Sequence, residues 1–232
     1  MMVPIWLRSF ADALLYRERQ EDRLEARVEP PAHDLTDWPV SLALPSRPRA
    51  LEDLAPLVTV HVTDVAGGFG VSKQQLKAAG DYETALLRRY HGCAYHRLVS
   101  RRVGLVTNHP LTLRTSHGNG GNRGAGWAID CGHRETHGQL GDAFIAAAID
   151  SLEDLILDVY EATGETGPVV VVPHCVFSKK RKADTSGTVW RLIVVPAVAR
   201  VVEDYGPSVV RIGYEMVEGG YPIPADWGPR VG

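Results

Sequence analysis

Cysteine is scarce in this chain, with Cys93, Cys131 and Cys175 the three in 232 residues. Their spacing is irregular and no two form a CxxC pair, which excludes a disulfide framework. Each lies within or beside an apolar run, so they read as reduced, mostly structural thiols. Cys175, adjoining His174, is an alternative metal ligand. Long hydrophobic runs are also missing, and no stretch approaches the roughly 20 residues of a membrane-spanning helix. The first residues do not make a convincing signal peptide, because Arg8, Asp12, Arg17, Glu18 and Arg19 interrupt their apolar positions. The expectation is therefore a protein made and kept in the cytoplasm unless lysis or a secretion system releases it. An excess of one charge is lacking too: the formal net charge of -3 leaves no footprint for general nucleic-acid binding. Neither internal repeats nor long low-complexity tracts occur.

What is present suffices for a sizeable core. Hydrophobic residues make up 44% of the chain and charged residues 23%, which fits one main domain with decorations. Residues 5–27 begin with Ile5, Leu7, Phe10, Leu14 and Leu15 near one helical face. A proline-rich arm with Pro30, Pro31, Pro39, Pro45 and Pro48 then predicts an extended linker wrapping the surface, pinned by Trp38 and Leu42. The run 57–62 is β-branched and reads as a buried strand. Helical material is expected over 72–90, broken at Gly80 with Asp81 as a second N-cap. Residues 93–100 and 103–107 predict a hairpin, and 126–131 a strand. Residues 142–160 keep apolar side chains on one face throughout, the mark of a core-facing helix. After a strand at 169–172, residues 190–195 and 208–217 are expected to add strands. The fold class is thus α/β, a central mixed sheet flanked by helices. Its divisions are an arm (1–50), a main domain (51–190) and a C-terminal extension (191–232) packed on the same domain.

Chemistry concentrates around the strand that ends at Pro173. His174 leaves it, and a basic loop returns Lys182 and Asp184 eight and ten residues later. Histidine and carboxylate are zinc-ligand types, and a lysine beside them can stabilise charge developing on a substrate oxygen. His61 closes the β-branched strand where ligand crevices of α/β sheets open, although a core histidine reads the same way. Asp130 ends an apolar strand, where a carboxylate needs a partner; its plain alternative is a cap on the turn at Gly132. The glycine-dense segment around His117 and Asn122 lets backbone approach a ligand closely, or is a simple flexible loop. The run Lys179-Lys180-Arg181 has a solvated loop face as its ordinary reading.

The order of these features resembles the zinc-dependent N-acetylmuramoyl-L-alanine amidases. That family includes phage lysozyme-like amidases, muropeptide-recycling amidases and peptidoglycan recognition proteins. The resemblance covers residues 57–190. Val58-Thr-Val-His61 is similar to the strand bearing the family's first zinc ligand, and Ala94-Tyr95-His96 to its hairpin strand, whose tyrosine lies beside the zinc water. Ser116-His117 through Asn122 looks like the loop lining the substrate groove. Trp127-Ala-Ile-Asp130 falls on the strand where recycling enzymes hold a catalytic glutamate. His174 with Arg181-Lys182-Ala-Asp184 reproduces the His…Arg-Lys-x-Asp spacing of the recycling branch. The chain departs from the family in having Asp130 for glutamate, Thr185-Ser186 for the usual proline, and no acidic residue before Gly104.

The resemblance implies a peptidoglycan-recognition-protein-like fold and a Zn²⁺ cofactor held by His61, His174 and Asp184. It further implies Lys182, Asp130 and Tyr95 as catalytic residues and His117, Asn122 and Arg181 as substrate contacts. The implied reaction is hydrolysis of the amide between N-acetylmuramic acid and L-alanine, by a phage lysin or a recycling enzyme. The expected partner is peptidoglycan or a muropeptide, with no nucleic acid and no membrane. A non-catalytic peptidoglycan-binding module that keeps the groove is the alternative.

Overall fold

Valine alternates with threonine and histidine along Leu57–Thr63, and in the computed structural model this segment is a central strand of a seven-stranded sheet. The structure describes residues 31–39, 46–63, 71–115, 121–130, 140–177 and 186–213. In chain order the elements are β1 (Ala32–Asp34), β2 (Ser46–Pro48), β3 (Leu57–Thr63), α1 (Lys73–Ala79), α2 (Tyr82–His91), β4 (Arg97–Ser100) and β5 (Gly104–Thr107). They continue with β6 (Leu113–Thr115), β7 (Ala125–Asp130), α3 (Asp142–Ala162), β8 (Val169–Pro173), α4 (Val195–Tyr205) and β9 (Val210–Ile212). The sheet order is β1-β5-β4-β7-β3-β8-β9, parallel except for the antiparallel β4–β5 hairpin, and β2 pairs separately with β6. The protein is therefore α/β, with a mostly parallel central sheet and helices.

Alternation along each strand sorts side chains to two faces. Val58, Val60, Val62, Val99, Trp127 and Ile129 meet α3 and α4 in one core that includes Phe144, Leu152, Leu155, Ile156, Ile193 and Val198. The opposite face presents Leu98 and Ala128 to Leu86, Leu87 and Tyr90 of α2. Thr59, His61, Thr63, Ser100 and Asp130 alternate with the first set and so share this second face.

Local signals set the helix ends. Ser72 caps α1 through a reciprocal capping box with Gln75, Gly80 ends it at φ +88°, and Asp81 accepts from Thr84 N–H to start α2. The arm is not merely a wrap. β1 extends the sheet alongside β5, Leu35 is buried, and Trp38 lies edge-on to His91 at 5.9 Å between ring centroids. Gly104 permits this docking, since its φ is +89° and a Cβ there would lie 2.1 Å from the Pro31 carbonyl oxygen. The helix expected over residues 5–27, and Leu42, lie outside the described residues.

One expected strand is a helix. Trp190–Val194 forms a π-helical turn that runs directly into α4. Valine and isoleucine suggest extended structure by propensity, but Ile193, Val194, Ala197, Val198 and Val201 are all buried at helical spacing, and that periodicity wins. The wide turn precedes Pro196, which has no N–H to offer a regular ladder. In the segment 208–217, β9 is the strand observed.

Two buried imidazoles stack beneath the arm. His91 and His109 lie 4.8 Å apart, His91 meeting Asn108 at 3.1 Å and His109 donating to the Cys93 carbonyl at 2.8 Å. Burial pushes the His109 pKa down to about 4. An unfolded histidine takes up its proton near pH 6.5, so between those values the unfolded chain binds more protons and stability falls as pH drops. Denaturant midpoints measured from pH 7.5 to 4.5 should decline, and His109→Gln should flatten that decline. In the main core, Trp127→Ala should cost about 3–5 kcal/mol by chemical denaturation. Leu76→Ala, at a side chain 39% exposed, should stay within about 0.5 kcal/mol.

Candidate metal centre

Strand register brings the first two expected ligands together. In the pairing of β3 with β8, Val60 lies opposite Pro173, so His61 and His174 both follow at the same level. Their ring centroids are 4.3 Å apart with planes inclined at 55°. Tyr95, in the segment before β4, brings its ring centroid to 4.9 Å from His61. Both histidines are buried, with 1% and 2% exposure, while Tyr95 is half-buried. Two tilted, buried imidazoles, one in β3 and one in the 3-10 turn that follows β8, fit a pair of nitrogen ligands to one metal ion.

Asp130 lies on the same face, one strand over. His61 is level with Ala128 and Thr63 with Asp130, which places the carboxylate one side-chain step beyond His61. The turn at Gly132 that it would otherwise cap lies outside the described residues. The Tyr90 hydroxyl, fully buried on α2, donates to Asp130 Oδ2, and Ser100 Oγ approaches the same oxygen at 3.5 Å. Tyr90 and Ser100 also meet each other at 2.9 Å, and Ser100 Oγ accepts the Arg102 N–H at 3.1 Å. Burial, then the neighbouring Asp130 charge, raises the Tyr90 phenol well above its ordinary pKa, keeping it a donor. Sequence reading missed Tyr90 and Ser100, because a tyrosine on the buried face of a helix looks like any core aromatic.

Asn122 sits half-buried in the turn Gly121–Arg123, before the N-terminal end of β7, whereas Asp130 closes the other end. The turn is fastened by Arg49, a buried arginine that donates to the Arg123 and Gly124 carbonyls at 3.1 Å and to Leu111 at 2.7 Å. His117, Arg181, Lys182 and Asp184 lie outside the described residues. Among the described residues no group of three or more His, Cys, Asp or Glu side chains gathers as a metal site. Cys175 is buried beside His174, and burial pushes the Cys93 thiol up to about 12.

His96, next to Tyr95 in sequence, is structural. Its Nδ1 accepts the Gly126 N–H at 3.0 Å and its Nε2 donates to the Leu113 carbonyl at 3.0 Å, tying β7 to β6. No helix among the described residues is long and apolar enough to cross a membrane. Comparison with protein-family models, curated proteins and solved structures finds no match.

His96→Ala would leave the buried Gly126 N–H without its acceptor, at a cost of about 1–3 kcal/mol, and the part-buried Leu113 carbonyl without its donor. Denaturation should show a loss in that range or above, while metal content measured by atomic emission stays at the wild-type level.

Proposed function

We propose that this chain is a zinc-dependent amidase with a peptidoglycan-recognition-protein-like fold, hydrolysing the bond between N-acetylmuramic acid and L-alanine of a stem peptide. The observation that carries the reading is the meeting of His61, near the end of β3, with His174, which directly follows the adjacent parallel strand β8, and Tyr95 against His61. The reading is supported by the order of features along the sequence, in which the resemblance gives both histidines to one ion. Asp184 would complete a two-histidine, one-carboxylate set, which leaves a coordination position open for water. When bound, zinc supplies Lewis acidity and a water ionisable near neutral pH.

The remaining residues take roles set by their chemistry. Asp130 accepts a proton from the attacking water and returns it to the leaving amine. Tyr95 orients that water from the wall beside His61. Lys182 offsets the negative charge developing on the scissile carbonyl oxygen. His117 and Arg181 would contact the sugar and the peptide, and carboxylates of the stem peptide complement the basic run ending at Arg181; Asn122, at the opposite end of β7 from Asp130, stands apart from this group. Peptidoglycan or a soluble muropeptide is the partner this implies.

The wild-type protein should contain one zinc per chain and release peptide from a muramyl-peptide substrate. His61→Ala and His174→Ala should each lose at least 90% of both while keeping the far-ultraviolet circular dichroism of the parent, as roughly expected for removal of a ligand. Zinc without turnover on soluble or polymeric substrate would select the binding-module reading. A chain with neither would end the amidase reading.

A further inference from the structure

The face that carries the histidine pair also buries a carboxylate whose environment belongs to a different set of elements. Asp130 is 1% exposed, and a buried carboxylate is costly unless hydrogen-bonded. Its two hydroxyl neighbours come from α2 and β4, on the side of β7 away from β3 and the histidines. Both reach the same oxygen, Oδ2. Ser100 lies directly opposite Asp130 in the β4–β7 register, so its placement follows from strand pairing alone. Tyr90 is different: its hydroxyl enters from the helix layer above the sheet, and its ring is packed among Leu86, Leu87 and Leu98. Packing as well as the hydrogen bond thus holds the Tyr90 hydroxyl against the carboxylate. The Ser100 hydroxyl, held by the Arg102 N–H and the Tyr90 hydroxyl, closes the network. Arg102 extends it outward to the Tyr82 hydroxyl at 3.3 Å, linking the start of α2 to its end through the hairpin turn.

We infer that Tyr90 is a positioning residue: from α2 it grips one oxygen of Asp130 and so fixes the carboxylate's orientation on the face shared with His61 and His174. This rests on the amidase reading for its catalytic consequence, but the grip itself is a property of the fold. A core aromatic placed only for packing would be replaced by phenylalanine without effect on the reaction. A hydroxyl that aims a proton-accepting carboxylate would not, because a misplacement of about 1 Å in such a group can cost on the order of 100-fold.

The test compares wild type with Tyr90→Phe, Ser100→Ala and Asp130→Asn, using full-length protein loaded with zinc and a synthetic N-acetylmuramoyl peptide. Tyr90→Phe should lower kcat by about 10- to 100-fold, with KM within about threefold and zinc content unchanged. Ser100→Ala should show a smaller fall of the same kind, and keeps the test open if the phenylalanine variant folds poorly. A readout free of turnover comes from proton NMR. Wild type should show a slowly exchanging, downfield tyrosine hydroxyl proton that is absent in Tyr90→Phe and lost or shifted in Asp130→Asn. Wild-type kcat in Tyr90→Phe, beside an inactive Asp130→Asn, would overturn the inference. So would a Tyr90 hydroxyl signal indifferent to Asp130→Asn. No turnover in wild type, with the hydroxyl signal still dependent on Asp130, would reject the amidase reading and leave the grip standing.

Discussion

The parallel pairing of β3 with β7 on one side and β8 on the other is the constraint on which the rest depends. Side chains alternate faces along a strand, so one residue of slippage would turn His61 into the apolar core and bring a valine to its place. Register is held by what the other face buries. Val58, Val60, Trp127 and Ile129 pack against α3, and hydrophobic burial of this kind is worth about 1.5–3 kcal/mol per large side chain. The polar face thus inherits its precision from the apolar one. His61 and Asp130 occupy fixed places because their neighbours in sequence are locked on the opposite side of the sheet, and His174 directly follows β8, which is paired with β3.

That dependence explains how much could be read from sequence. The long helix α3, the capped pair α1 and α2, the hairpin and the strands bearing His61, Asp130 and His174 all carry strong local signals: apolar period, capping side chains, β-branched runs. Each states its own type with little reference to the remainder of the chain. The segment after Trp190 misled because its propensity and its period disagree. Valine-rich composition argues for a strand, yet the buried positions recur every three or four residues, and burial against α3 decided the outcome.

The candidate site divides the same way. Histidines at strand ends are conspicuous in sequence, and their meeting follows once strand neighbours are known. Partners contributed from another layer are not conspicuous. Tyr90 contacts Asp130 across 40 residues of chain, and Arg49 fastens the turn before β7 across more than 70. Nothing local marks Arg49 as buried; burial pulls its guanidinium pKa below the ordinary value, and three backbone carbonyls compensate the cost. Such residues become legible only when the three-dimensional neighbours of a buried charge are in view.

The strand contributed by the arm has a bearing on how this chain behaves toward others of its kind. Leu105 donates to the Pro31 carbonyl and Leu35 to that of Thr107, both at 2.8 Å, so β1 occupies the margin of the sheet beside the hairpin. It is three residues long, followed by a turn at Asp34–Thr36 in which the aspartate accepts from the threonine N–H and hydroxyl. A margin that short offers little template for a second molecule to pair with. Strip the arm away, and β5 would present its own unpaired groups in β1's place. The arm thereby works as a seal, and its docking glycine at position 104 is part of what keeps one sheet from continuing into the next.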